Sequence, residues 1–457
     1  MTWSIRHVLA AVALICSAAV AFAQSPTTSQ SQTAMTRHIT IQEAVQLALK
    51  HNHTVKIAEY KIEESLHAKE KARSGYFPTI RNETNVLKVT DTQFIQIAGG
   101  ELGTINGSPN PDRSVTINQG GKTFVTSGTG LVQPITPLFT RVKPANDVAR
   151  ANLDASRANA DETQNEIALK VHEIYYRLLI AQSHHAAVEA RIAAAQELQN
   201  QRGAEVKYGS TLQEDLIEST ARTLQAKQEL LSTELELSDL TLQMNDSIGL
   251  PLRTQLDLDP NVPQVPESCA PEDCIKTALA SHPEIVAARD EVRKAVAAHQ
   301  LSKADYFPDV AAFARYTYSN DVPFLARNFG TFGVSLTYDL FDGGKRRAEV
   351  QESDSQLAEA KESLAKVTEE VEVRVQTAQN KLDRTREMMK VSEELLALRV
   401  ESRRTSAQEL QKGSALKAQA DAAVAQEMDA RTMLLQSQLD YLGAHDEMIQ
   451  AMGQTPE

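Results

Sequence analysis

Cysteine, tryptophan and aromatic residues as a group are scarce in this 457-residue chain, at three, one and 5% respectively. So few aromatics exclude the thick core of a large globular enzyme. The abundance of Ala, Gln, Glu and Leu favours long, thin helical structure instead. Basic residues are outnumbered by acidic ones, 47 against 60, so no basic stripe can neutralise phosphates and nucleic acid is excluded as a partner. No Gly-rich phosphate loop, nucleophile elbow or zinc signature occurs, which weighs against ATPase and hydrolase chemistry and leaves no cofactor expected. His51-x-His53 and His184-His185 lack the i, i+4 spacing that puts two imidazoles on one helix face, so both pairs read as surface histidines. Long apolar runs are also missing. Past residue 23 nothing approaches the roughly 20 apolar residues of a membrane helix.

What the N-terminus does have is the pattern of a secretory signal peptide, residues 1–23. Arg6 and His7 precede an apolar stretch from Val8 to Val20, and Ala21-Phe22-Ala23 is a small-x-small cleavage site. Cys16 sits inside that stretch after Ile15, where a lipidation signal would have a small residue. Cleavage before Gln24 removes one Arg and no acid, leaving a formal charge of 46 − 60 = −14. Cys269 and Cys274 then remain, four residues between them. In an oxidising compartment they are candidates for a small structural disulfide, with two free thiols as the alternative.

The chain says nearly the same thing twice. Tyr76-Phe77-Pro78 returns as Tyr306-Phe307-Pro308, an offset of 306 − 76 = 230 residues, and Glu43–Leu49 matches Asp273–Leu279 at that offset. Gly209-Ser210 returns as Gly413-Ser414, an offset of 413 − 209 = 204, and Gly249 as Gly453. This period is far longer than a solenoid repeat of about 20–50 residues. It marks a duplicated half: 39–254 and 271–455, after a polar leader 24–38 that reads as disordered and around a linker 255–270.

Each half runs through the same order. Thr40 is a candidate N-cap with Glu43 as its partner, and Pro78 and Pro308 close the first helical segments. Strands follow, a β-hairpin within 80–135 and another within 309–341. In the second, Phe332, Val334, Leu336, Tyr338 and Leu340 alternate with polar or small residues, giving one apolar face. The extra residues of the first half fall in the Gly-, Asn- and Ser-rich hairpin tip between 99 and 121. A very long helix comes next, with Leu153, Ala160, Ile167, Ile174, Ala181, Val188 and Ala195 seven apart and Val171, Leu178, His185 and Ile192 four behind, a heptad seam. Lys345 to Lys412 repeats it around Val371, Val375, Ala378 and Leu382. Such helices are rods of roughly 100 Å. Gly209 and Gly413 break them, and a shorter helix returns from each.

The predicted fold class is therefore mainly α with a small β part. Packing inside a monomer is one way to bury the apolar strand faces; a lipid-facing barrel wall is the other. Four strands cannot close a barrel, because open edges in lipid leave unpaired backbone groups, so the second reading requires oligomerisation.

The order strand pair, long helix, glycine tip and return helix, twice over, resembles the TolC family of bacterial outer-membrane efflux proteins. The paired Tyr-Phe-Pro elements, Leu340-Phe341-Asp342-Gly343-Gly344, Lys207-Tyr208-Gly209 and Ile248-Gly249-Leu250-Pro251 carry the resemblance, across about Ile39 to Gly453. It implies a homotrimer with a twelve-stranded barrel in the outer membrane and a helical tunnel in the periplasm. It also implies docking by a periplasmic adaptor and an inner-membrane transporter, for passive export by a tripartite efflux or type I secretion system. Tyr208, Gly209, Ser210, Gly413 and Ser414 become tip or docking positions, and Asp215 and Asp421 candidate gate residues. Two departures stand out: Pro134-Ile135-Thr136-Pro137-Leu138-Phe139 replaces the family's Phe-Asp-Gly-Gly lead-in, and Gln419 and Ala422 stand where the family has carboxylates beyond the second tip. The rival reading from another class is a periplasmic coiled-coil scaffold without a pore.

Overall fold

The computed structural model describes residues 36–88, 94–118, 123–261, 270–320 and 326–456. The signal peptide, residues 24–35 of the leader and Cys269 lie outside them. The first half opens with strand β1 (Thr36–Ile39), then α1 (Ile41–His51), started by the Thr40 hydroxyl accepting the Glu43 N–H at 3.3 Å, and α2 (His53–Ser74). Strands β2 (Thr79–Lys88) and β7 (Thr123–Pro134) form its hairpin. Between them, β3 (Phe94–Ile97) pairs with β6 (Val115–Asn118), and β4 (Thr104–Ile105) with β5 (Ser108–Pro109) at the tip. A π-helical turn, Leu138–Val142, leads into α3 (Lys143–Lys207), which is 65 residues long, and α4 (Gln213–Ile248) returns. The second half follows β8 (Gln255–Leu258): α5 (Pro271–Ser281), α6 (Pro283–Ser302), a 3₁₀ turn, hairpin β9 (Asp309–Asn320) and β10 (Asn328–Thr337), then α7 (Lys345–Gln411) and α8 (Lys417–Ala451).

The duplication is visible atom by atom. The break between α1 and α2 is capped by the Asn52 side chain, which accepts the Thr54 N–H at 2.8 Å. At the matching break between α5 and α6, His282 Nδ1 accepts the Glu284 N–H at 3.2 Å. One position thus does the same work with an amide in one half and an imidazole in the other. The two matching glycines end the return helices against these breaks. A Cβ on Gly249 would lie 2.7 Å from His51 Cβ, and one on Gly453 would lie 2.7 Å from His282 Cα. Both have positive φ, 72° and 80°, so close approach and backbone conformation each demand glycine.

The heptad seam of α3 is the spine. Leu153, Ala160, Val171, Ile174, Leu178, Ala181 and Val188 are buried, and α4, α6, α8 and α2 all pack on this helix. The main core gathers Ile39 of β1 and Ala44, Val45 and Ala48 of α1 with Ile174, Leu178, Leu240, Met244, Leu439 and Leu442. A second cluster joins Cys274, Ala278 and Ile285 to Val371, Val375 and Met448. Small residues let several helices approach one another closely here.

The ends of the leader and linker differ from the sequence expectation. β1 and β8 form a two-stranded parallel sheet, Ile39 opposite Leu258. The cause is local: Ile39 and Leu258 are both buried, and the Tyr175 hydroxyl lies 3.1 Å from the carbonyl oxygens of both Ile39 and Asp259. The four main strands form one antiparallel sheet, ordered β10-β9-β7-β2.

Candidate functional site

The register of this sheet sorts its side chains into two faces. Phe332, Ala314, Leu131 and Ile80 lie in one row across all four strands. Val334 and Leu336 share their face, and Ile80, Phe332, Val334 and Leu336 are 67–88% exposed in the chain by itself. The opposite face carries Phe124, Gly128 and Ser319, all buried, with Arg315 and Phe313 reaching over Gly128 and Gly333. Crowded side chains mark the concave face of a curled sheet, and splayed ones the convex face. The convex face is therefore the apolar one, as a wall with lipid outside and water inside requires. One patch of it is polar: Asn82, Thr84, Ser127 and Thr129 hydrogen-bond to one another across β2 and β7.

Charged clamps hold sheet to helices. Arg141, in the π-turn, reaches Asp305 and Asp309 at 2.8 Å each. Arg346 donates to Asp342 at 2.6 Å and lies over the rings of Tyr306 and Tyr338, 5.6 and 5.2 Å from their centroids. Hydrogen bonds from the Arg346 side chain and backbone, and from the Gly344 N–H, hold the Asp342 carboxyl down at about 2. The second half thus turns into its long helix with Asp342-Gly343-Gly344. The first half, which lacks that motif, makes the turn with the wider π-helical ring and a cross-half arginine.

At the far end the two tips are near copies. Gly209 donates to Val206 O and Ser210 to Glu205 O, at 3.0 and 2.9 Å; Gly413 and Ser414 repeat this with Leu410 and Glu409, each at 3.0 Å. Both glycines have positive φ, the left-handed stop of a helix. Tyr208 is 88% exposed and the tip residues project into solvent. Asp215 accepts from Thr211 Oγ1 at 2.5 Å and from the Leu212 N–H at 3.3 Å, and these bonds hold its carboxyl below the usual range. Gln419 takes the same cap position on α8, accepting from the Leu416 N–H at 3.3 Å. Asp421 is half-buried just past the first turn of α8, near Lys417, which pairs with Glu197 at 3.0 Å.

Between tips and barrel, α3 and α8 are stitched by polar pairs that composition and heptads did not reveal. Arg191 bridges Glu229 and Asp429 at 2.5 and 2.7 Å, and Ser183 meets Thr432 at 2.9 Å. Higher up, Asp446 Oδ2 lies 2.7 Å from His172 Nδ1 and accepts from Tyr176 OH at 2.8 Å. Burial pushes the Asp446 carboxyl up, but the bonds from His172, His445 and Tyr176 outweigh it, and the net shift is down. Glu162 accepts from Gln450 at 2.9 Å with one oxygen, while the other is buried with no hydrogen-bond partner, 3.9 Å from His282 Nδ1. Burial, then the charges of Glu284 and Glu166, push this carboxyl up to about 7. These residues are single polar interruptions of an Ala-rich helix, which is the only sequence signal they carry.

The other candidates are scattered. Cys274 is buried and disulfide-bonded, while Cys269 lies outside the described residues. His51 packs on Gly249; His184 lies beside Thr233 and Glu229, and His185 near Glu189 and Glu234. Among the described residues no cluster of three or more metal-ligating side chains occurs, and no helix is long and apolar enough to cross a membrane.

A curled sheet with an apolar convex face, continued by two helices roughly 100 Å long, each paired with a shorter antiparallel return helix, defines an outer-membrane channel protein. The chain belongs to the outer membrane efflux protein family, whose sequence profile matches residues 44–249 and 274–454. Among solved structures it is similar to the CmeC outer membrane channel of Campylobacter jejuni, with a TM-score of 0.74 and 13% identity over 90% of this chain and 85% of that one. It is also similar to the outer membrane protein VceC of Vibrio cholerae, at 0.71 and 14% over 91% and 97%. The MtrE outer membrane channel of Neisseria gonorrhoeae gives 0.70 and 16% over 91% and 89%. No curated protein sequence matches it.

Proposed function

We propose that three copies of this chain close head-to-tail into a duct that carries cargo passively from an inner-membrane transporter to the exterior. The observation that carries this reading is a pair of matching open flanks. In the sheet, β2 and β10 are the unpaired edges. In the helical part α3 and α8 meet in the middle, which leaves α4 and α7 outermost. Both outer helices carry apolar stripes that nothing among the described residues covers: Ile217, Leu224, Leu231, Leu235 and Leu242 on α4, and Met388, Val391 and Leu398 on α7, each at least 42% exposed. Spacings of three, four and seven make them coiled-coil seams awaiting a partner. A β2-to-β10 and α4-to-α7 contact repeated around an axis closes both rings at once, and three copies give twelve strands.

The chain supplies no energy-harvesting site in this reading and is not an enzyme. A periplasmic adaptor docks around Tyr208, Gly209, Ser210, Gly413 and Ser414, and opening spreads the tips that Asp215 and Asp421 border. Removal of residues 1–23 precedes assembly, and Cys274 pairs with Cys269 at the start of the second half. With both Leu224 and Leu231 changed to Lys, the detergent-extracted protein is expected to run as a monomer where wild type runs as a heat-sensitive trimer. A wild-type chain that is monomeric in detergent would sink the proposal in favour of the scaffold. Asp215→Ala, which loosens the first tip, is expected to change single-channel conductance or cation preference in planar bilayers; unchanged values on both remove Asp215 from the gate.

A further inference from the structure

We propose that Arg315 and its copies in the neighbouring protomers form a ring of guanidinium groups in the barrel lumen that eases anions through an otherwise acidic duct. The inference rests on the ring closure above and adds a selectivity element to it. Arg315 is the seventh of the twelve residues of β9, near mid-strand, and lies on the concave face. Two glycines of the neighbouring strand make room for it. Gly130 stands directly opposite, and a Cβ on Gly128 would come within 2.6 Å of Arg315 Nε and Nη2. Glycine in a strand interior weakens pairing, and here it frees the space the guanidinium occupies.

Among the described strand residues, Glu83 is the one acid of that face left to offset two arginines, Arg81 and Arg315. The strands place Arg81 and Glu83 of β2 beside it, while the concave positions of β7 and β10 carry no charge. Asp309, at the periplasmic end of β9, is taken up by Arg141. The Glu83 carboxylate is 3.8 Å from Arg315, beyond hydrogen-bond distance, and the arginine side chain is 49% exposed. Its donors therefore face the lumen water. Each protomer thus adds a net positive charge to the barrel lumen, whereas the whole chain carries −13. A ring of fixed arginines is the arrangement of anion-preferring pores.

The test uses the full-length trimer in planar bilayers under a KCl gradient. Arg315→Gln is expected to raise the K⁺ to Cl⁻ permeability ratio about twofold or more at low salt. Arg315→Lys should keep the wild-type ratio, and Glu83→Gln should lower it. Arg315→Cys should react with a membrane-impermeant anionic thiol reagent, and Phe332→Cys, on the convex face, should not. An unchanged ratio in both Arg315→Gln and Glu83→Gln channels overturns the proposal, as does labelling at position 332 without labelling at 315. If Arg315→Gln fails to assemble, the Lys and Glu83→Gln channels decide. Wild-type protein that forms no channel at all sinks the ring closure, a different result from channels whose selectivity does not respond.

Discussion

Asp446→Ala is expected to lower the stability of the helical tunnel by roughly 3 kcal/mol or more, because it strands two buried donors at once. Asp446 is 5% exposed and takes both the His172 imidazole and the Tyr176 hydroxyl on one oxygen. His172 has no second option, since its Nε2 is already buried without a partner. The contact also spans the duplication: His172 and Tyr176 belong to α3 and Asp446 to α8, so its loss loosens the joint between the halves. Thermal unfolding followed by the helical dichroism signal should show a lower midpoint for Asp446→Ala. Asp446→Asn should fall between it and wild type, because an amide oxygen can still accept one of the two bonds. Equal midpoints for wild type and Asp446→Ala would show that the joint is held by apolar packing alone.

The same joint shows what a reader of the sequence can and cannot see. Heptad positions such as Leu153, Val171 and Leu178 announce their burial through spacing, and all three are buried. Val371, Val375, Ala378 and Leu382 do so as well, despite a weaker stripe. Thr40 with Glu43 is a local signal, and local hydrogen bonds obey it. The tip glycines and the hairpin alternation belong to the same class, since each is fixed by residues close in sequence. What stayed hidden depends on partners far away. Arg141 replaces a missing glycine turn by reaching residues 164 and 168 positions on, and no spacing rule points from Arg141 to Asp305 or Asp309. β1 and β8 pair across 219 residues because Ile39 and Leu258 both land in one core. The concave placement of Arg315 follows from sheet curl, which the alternation of β9 alone does not specify. Asp215, read as a candidate gate residue, also caps the return helix through Thr211 and Leu212, a bond set by its near neighbours.

Glu162 gives this joint a pH dependence whose sign can be worked out. Its folded carboxyl is raised from 4.5 to about 7, chiefly by burial. Below about pH 4.5 the group is protonated in both folded and unfolded chains and has no effect. Between 4.5 and 7 the unfolded chain releases the proton while the folded one retains it, so stability falls as pH rises. Above 7 the loss is complete, about 3 kcal/mol in total. His282, 3.9 Å away and held neutral by burial, works the other way: its contribution is lost as pH drops below 6.5. Glu284, Glu166 and Arg374 also face the site, so the raw pH profile is a sum. The difference between Glu162→Gln and wild type isolates the carboxyl. The two midpoints should coincide near pH 4.5 and separate steadily up to about 7, with the glutamine variant the more stable, then remain parallel. A constant difference from pH 4.5 to 8 would mean that Glu162 stays ionised in the folded protein, with its second oxygen paired to a donor rather than left bare.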